Sequence, residues 1–382
     1  MSLLESKLPN VGTTIFTVMS QLAEQHGAIN LSQGFPDFQP PARLVELVEK
    51  HLRDGRNQYA PMAGVMALRE AIAEKLRDLY AVHADPESEI TITPGATEAL
   101  FAAIHAVVRA GDEVVVFDPA YDSYEPAVAL AGGKTIHVPL ETPSFTPRWD
   151  RLESVLSDRT RLVIVNTPHN PSGTVLSEAD LAELAALLRP YGCYVLSDEV
   201  YEHIVFDGRH ASVLANPELR ERSFAVFSFG KTYHATGWKT GYAVAPRALT
   251  AELRKIHQYL TFAAVTPLQH ALADFMRECP EHHLELADFY RKKRDFFVER
   301  LRASRFAFTP SQGTYFQLAD YGRISREPDT DFARRLTIEH GVAVIPISVF
   351  YADPPAGATF VRFCFAKQEA TLRAASERLV AV

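Results

Sequence analysis

Cysteine is scarce in this chain: Cys193, Cys279 and Cys364 are the only three in 382 residues. They are too few and too scattered for a disulfide framework or a Cys-x-x-Cys metal site, and a reducing compartment suits them. Positive charge is not in excess either. With 39 Lys and Arg against 47 Asp and Glu, and no basic run, the chain is a poor candidate for gripping a phosphate backbone. Long apolar runs are missing. The most apolar stretch, Ala99–Val108, is short and carries His105, which fits a buried helix and not a membrane span. The first residues, MSLLESKLPN, lack the basic end and apolar run of a signal peptide, so a cytoplasmic location is expected. Neither repeats nor low-complexity tracts occur. The balance that remains, 47% apolar and 23% charged, is that of an ordinary globular protein, and the length suggests two or three domains.

The middle of the chain alternates short β-branched runs with longer helical patterns. Strands are expected at Ile90–Thr93, Glu113–Phe117, Lys134–Val138, Arg161–Asn166, Cys193–Ser197, Ser223–Ser228 and Gly241–Ala245, with amphipathic stretches such as Glu178–Leu188 between them. That alternation predicts an α/β fold, a mainly parallel sheet with helices on both faces. From about Glu281 one long charged helix is expected to Arg302. Strands at Gly313–Leu318, Val342–Ile345 and Thr359–Phe365 and helices at Asp331–Glu339 and Lys367–Leu379 then make a smaller α+β unit. Before the large unit lie a helix, Phe16–Gly27, and the proline-punctuated NLSQGFPDFQPP. Residues 1–40, 41–280 and 281–382 are thus read as arm, large domain and small domain.

Three motifs each have a bland reading. NTPHNPSG at 166–173 resembles a turn after a buried strand, GCYVLSDEVY at 192–201 a strand ending in carboxylates at the water boundary, and SFAVFSFGKTYHATGWKTGY at 223–242 a strand followed by a solvated lysine. Together they say more. Ligands of open parallel sheets bind outside the carboxyl ends of the strands, and Asn170, Asp198, Ser228 and Lys231 all follow such ends. In TPGATEAL at 93–100 a strand passes through Gly95 into a helix at Ala96 and Thr97, where free N–H groups favour an anion, although a simple N-cap at Thr97 remains open. An amine between an anion site and a carboxylate suits pyridoxal 5'-phosphate.

N-P-[ST]-G, S-D-E-x-Y, S-x-G-K and G-W-[RK]-x-G in this order form a specific set. The chain resembles the fold-type-I, class I pyridoxal-phosphate-dependent aminotransferases, in their kynurenine and glutamine transaminase branch, over essentially its whole length. The resemblance implies that Lys231 makes the covalent link to the cofactor and moves the substrate proton, and that Asp198 faces the pyridine nitrogen. It sets Asn170 and Tyr201 at the phenolic oxygen and Tyr121 on the ring. Ala96, Thr97, Ser228 and Lys239 would hold the phosphate, with Lys239 replacing the more usual arginine and its planar fork. Tyr59, from NQYAPMAG, would reach the phosphate of a neighbouring subunit, which implies a homodimer with shared active sites. Arg362, a charge among apolar neighbours in TFVRFCF, would clamp the substrate carboxylate with Gly34 and Asn170; an internal acidic partner is its bland alternative.

Two other patterns are dismissed. Ser228-Phe-Gly-Lys231 and Lys239-Thr-Gly241 imitate serine-hydrolase motifs, but they lie too close together and Ser197-Asp-Glu199 precedes both. His282-His283 has no third ligand at metal spacing and is read as a solvated pair, so no metal is expected. The family reading implies amino transfer from an amino acid to a 2-oxo acid. Phe16, Phe35, Tyr59, Tyr121 and Phe350, which the resemblance places near the substrate with little distal positive charge, favour methionine ahead of phenylalanine, tyrosine, kynurenine or glutamine. A β-lyase on the same scaffold starts from the same carbanion. A regulatory ligand-binding relative is disfavoured because only about 30 residues precede NLSQGF.

Overall fold

The computed structural model describes residues 5–382. Its strands are β1 (Ile29–Asn30), β2 (Ile90–Thr93), β3 (Glu113–Asp118), β4 (Lys134–Pro139), β5 (Thr160–Asn166), β6 (Tyr194–Asp198), β7 (Ser223–Ser228), β8 (Gly241–Val244), β9 (Phe316–Asp320), β10 (Val342–Ala343), β11 (Ile345–Pro346) and β12 (Phe360–Cys364). Seven of them form one sheet in the order β2-β8-β7-β6-β5-β3-β4. All its pairings are parallel except those of β8, which runs against both β7 and β2.

The central strands are apolar on both sides because both sides are covered. Val114, Val116, Leu162, Ile164, Leu196, Phe224 and Val226 pack beneath the helices Ala96–Val107 and Arg247–Leu260. The alternate residues Val115, Phe117, Val163, Val165, Val195, Ala225 and Phe227 join the larger core on the other face, with the helices Glu178–Leu188 and Thr266–Glu278. A two-residue periodicity therefore divides each strand between two cores.

The second sheet, β11-β12-β9, is antiparallel. The arm belongs with it: β1 pairs in parallel with β10, and the helix Ile15–His26 packs on the helix Asp329–Glu339. This carries Phe16 and Gly34 toward Arg362 on β12.

Four expectations are corrected. The single helix from Glu281 to Arg302 is two, Glu281–Leu284 and Leu286–Leu301, because the chain breaks its helical path at Glu285. The strand at Val342–Ile345 divides into β10 and β11, which pair with different partners. The strand at Gly313–Leu318 starts later, at Phe316, after Thr314 adopts a left-handed φ of 64°. His283 is buried, and His282 is only partly solvated. The His282 ring contacts the Thr232 carbonyl oxygen at 3.1 Å, and the buried His283 ring lies 5.0 Å from that of His203.

Candidate active site

The reversal of β8 builds the site. Parallel β5, β6 and β7 bring Asn166, Asp198 and Ser228 to one edge of the sheet. Because β8 runs the other way, its beginning reaches that edge, with Gly241 opposite both Ser228 and Thr93. Lys239, two residues earlier, therefore hangs over the start of the helix Ala96–Val107. Its Nζ donates to Thr97 Oγ1 at 3.3 Å.

Gly95 turns β2 into that helix at φ 80° and ψ 167°, backbone that a side chain would strain. It is the N-cap and supplies no side-chain bond, so the N–H groups of Ala96 and Thr97 stay free for a ligand and Thr97 is not the cap. A Cβ on Gly241 would come within 2.7 Å of the Ala96 nitrogen. Glycine there lets β8 lie directly against the cradle.

Asp198 is buried at the end of β6 and accepts a 2.7 Å hydrogen bond from the Tyr124 hydroxyl. Burial pushes its carboxyl up to about 6, against the pull of Tyr124, the Val200 amide and Lys231. Lys231 follows β7 in a one-turn helix, Phe229–Thr232, and its Nζ donates to the Gly34 carbonyl at 3.4 Å. Burial brings its amine down to about 8. A fall from 10.5 to about 8 multiplies the free amine at neutral pH roughly 300-fold. Tyr121 also lines the cleft, its hydroxyl pushed up to about 12 mainly by burial.

Arg362 is 1% exposed, and no Asp or Glu among the described residues makes an ion pair with it. Its Nη1 donates to Asn170 Oδ1 at 2.7 Å and its Nη2 to the Ser32 carbonyl at 2.8 Å, while Nε has no partner among the described residues. The guanidinium lies 3.9 Å from the Phe316 ring centre and 5.3 Å from that of Phe16. The internal acidic partner is thus absent, and burial lowers the pKa of the unpaired cation. The arrangement awaits an anion.

One cleft collects most of the expected residues: Phe16, Gly34, Ala96, Thr97, Tyr121, Asn170, Asp198, Tyr201, Ser228, Lys231, Lys239 and Arg362 all line it. Three do not. Tyr59 is 85% exposed on the outer surface beside Phe262. Phe35 turns outward beneath Lys367, and Phe350 stands behind the wall, its ring 5.8 Å from that of Phe16.

Sequence reasoning missed the residues that hold this set in place. Asn166 donates to the Asp198 carbonyl and accepts from the Asn170 amide, locking the Asn170 turn to β6. Tyr124 was legible only as the second tyrosine of DPAYDSY. Tyr315, whose hydroxyl donates to the Gly34 carbonyl at 2.5 Å, carries no motif at all.

Residues 26–379 match the family described as aminotransferase class I and II. The chain belongs to this family of pyridoxal-phosphate-dependent aminotransferases. It is 59% identical over 376 residues to a methionine aminotransferase of Escherichia coli strain K12, covering 98% of this chain and 97% of that one. A solved Escherichia coli structure, described as identifying a methionine aminotransferase function, superposes with a TM-score of 0.98 at 58% identity and full coverage of both chains. A kynurenine–oxoglutarate transaminase of Dictyostelium discoideum is 33% identical, over 97% of this chain and 94% of that one.

The side chains present fit the family's cofactor. Two glycines leave room at an open helix start beside a lysine, and a buried carboxyl stands with an amine in the same cleft.

Proposed function

We propose that the protein transfers the amino group of methionine to a 2-oxo acid, with aromatic amino acids, kynurenine and glutamine as further donors. The observation that carries this reading is Arg362, a buried cation with no carboxylate partner among the described residues, set beside the cleft-lining rings of Phe16 and Phe316. The guanidinium takes the α-carboxylate, and the aromatic rings suit a long neutral side chain, a thioether above all. The methionine aminotransferase relative supports the same donor.

Pyridoxal phosphate, when bound, supplies an aldehyde for the amino group and a ring that takes up electrons from the substrate Cα. The roles proposed for this chain follow. The Ala96 and Thr97 amides, Ser228 and Lys239 hold the phosphate. Asp198, fixed by Tyr124, would keep the ring nitrogen protonated, Tyr121 would cover the ring, and Asn170 and Tyr201 would bind its phenolic oxygen. Lys231 Nζ would take the proton from the substrate Cα and deliver it to the cofactor carbon that bears the aldehyde in the free cofactor, work that its lowered pKa favours. Gly34 and Asn170 complete the carboxylate pocket. We place residues 41–280 as the cofactor-binding domain and 281–382 as the small domain. The exposed Tyr59 supports a homodimer in which it reaches the partner's cleft. Three free cysteines fit a cytoplasmic enzyme.

Two measurements test the substrate reading. The catalytic efficiency for methionine should exceed that for aspartate at least about tenfold with one acceptor, since a second carboxylate would be buried unpaired. A preference for aspartate would refute it. Arg362→Ala should weaken amino-acid binding by the equivalent of roughly 2–5 kcal/mol while leaving cofactor affinity nearly unchanged. Equal substrate affinity in the variant would remove the clamp.

A further inference from the structure

Behind the phosphate cradle lies a glutamate–histidine pair with no assigned part in the reaction. Glu98 is one residue beyond Thr97 in the same helical turn, and its carboxylate Oε1 is 2.9 Å from His257 Nδ1. His257 comes from the helix Arg247–Leu260, and its side chain is wholly buried. Its other nitrogen, Nε2, stands 3.0 Å from the Met62 carbonyl oxygen. The second oxygen of Glu98, Oε2, is buried without a partner among the described residues.

The proton count follows from the acceptors. A carbonyl oxygen only accepts, so Nε2 carries a hydrogen. The short contact between Nδ1 and Oε1 needs a second proton, on the ring or on the carboxyl. In either case the pair is neutral overall. Without the imidazole, a buried carboxylate would stand in the first turn of the helix whose free amides face the phosphate. That charge would oppose a phosphate dianion across a poorly screened distance.

The same ring joins two other parts of the chain. Met62 lies in the loop that carries Tyr59; the helix of His257 carries Tyr259, and Phe262, two residues past its end, has its ring 5.2 Å from that of Tyr59. These aromatic side chains are exposed. Resting on the aminotransferase reading above, we infer that His257 is a positioning residue for the cofactor phosphate: it neutralises Glu98 beneath the cradle and pins the Tyr59 loop to the cradle helix.

The test compares binding of pyridoxal phosphate with binding of pyridoxal, which lacks the phosphate, to the cofactor-free full-length protein. His257→Leu should weaken pyridoxal phosphate binding about 10- to 100-fold, the order expected for one uncompensated charge near a dianion. Pyridoxal binding should change less than about threefold, because no phosphate is there to be repelled. The double variant His257→Leu/Glu98→Gln removes the uncompensated charge and should recover most of the lost affinity, and it also serves if the single variant folds poorly. Equal losses for both compounds, or no recovery in the double variant, would overturn the inference and leave His257 a packing residue. A wild-type protein that takes up neither compound would overturn the aminotransferase reading itself, and this inference with it.

Discussion

Lys231→Ala should abolish transamination, with turnover reduced at least about 1,000-fold, within the range of about 100- to 10,000-fold for loss of a general acid–base group. The variant should still bind pyridoxal phosphate through the cradle and Asp198, but without the visible absorbance of a lysine-linked cofactor. A pH series adds a second test. With the amine brought down to about 8, covalent capture of the cofactor by the wild-type protein should accelerate with rising pH, reach half its maximum near pH 8 and level off about one pH unit above. An ordinary lysine would go on gaining free amine to beyond pH 10. Substantial turnover by Lys231→Ala would assign the proton transfer to another group.

Asp198→Asn should divide the properties of the loaded and cofactor-free protein. In the loaded enzyme the amide cannot hold the ring proton, and the half-reaction should slow by about 100-fold or more. In the cofactor-free protein the sign reverses. The Asp198 carboxyl is raised from 3.8 to about 6, so it favours the folded state fully below pH 4 and loses that advantage as pH rises through 6. At pH 8 the buried carboxylate costs about 3 kcal/mol, which asparagine, still able to accept from Tyr124, does not incur. Thermal melts of the cofactor-free variant should therefore run above wild type at pH 8 and coincide with it near pH 4. A wild-type half-reaction rate at saturating cofactor would end the proposed role.

The strands of the large sheet were legible because burial on both faces writes continuous apolar runs into β3, β5 and β7. The antiparallel sense of β8 was not, since direction leaves no mark on a four-residue run such as Gly241–Val244. Motif order brought Asp198, Lys231 and Lys239 to one cleft, because each sits next to a strand end. Side chains that act through a partner were harder to read. Tyr124 and Asn166 work by hydrogen bonds to Asp198 whose geometry only the folded chain displays. Phe350 was assigned to the substrate wall from its aromatic character, yet packing sets it behind Phe16. The break at Glu285 escaped notice because the residues on both sides of it favour helix.

The bonds that hold Arg362 also bear on how the molecule assembles. Asn170 is 192 positions away along the chain and Ser32 is 330, so these are contacts of very long sequence separation. On the ribosome, no amino acid can be gripped until residue 362 has emerged and met both earlier segments, although the central sheet can form well before. Refolding should show the same hierarchy, with the circular-dichroism signal of the sheet returning before the protein can bind a substrate carboxylate.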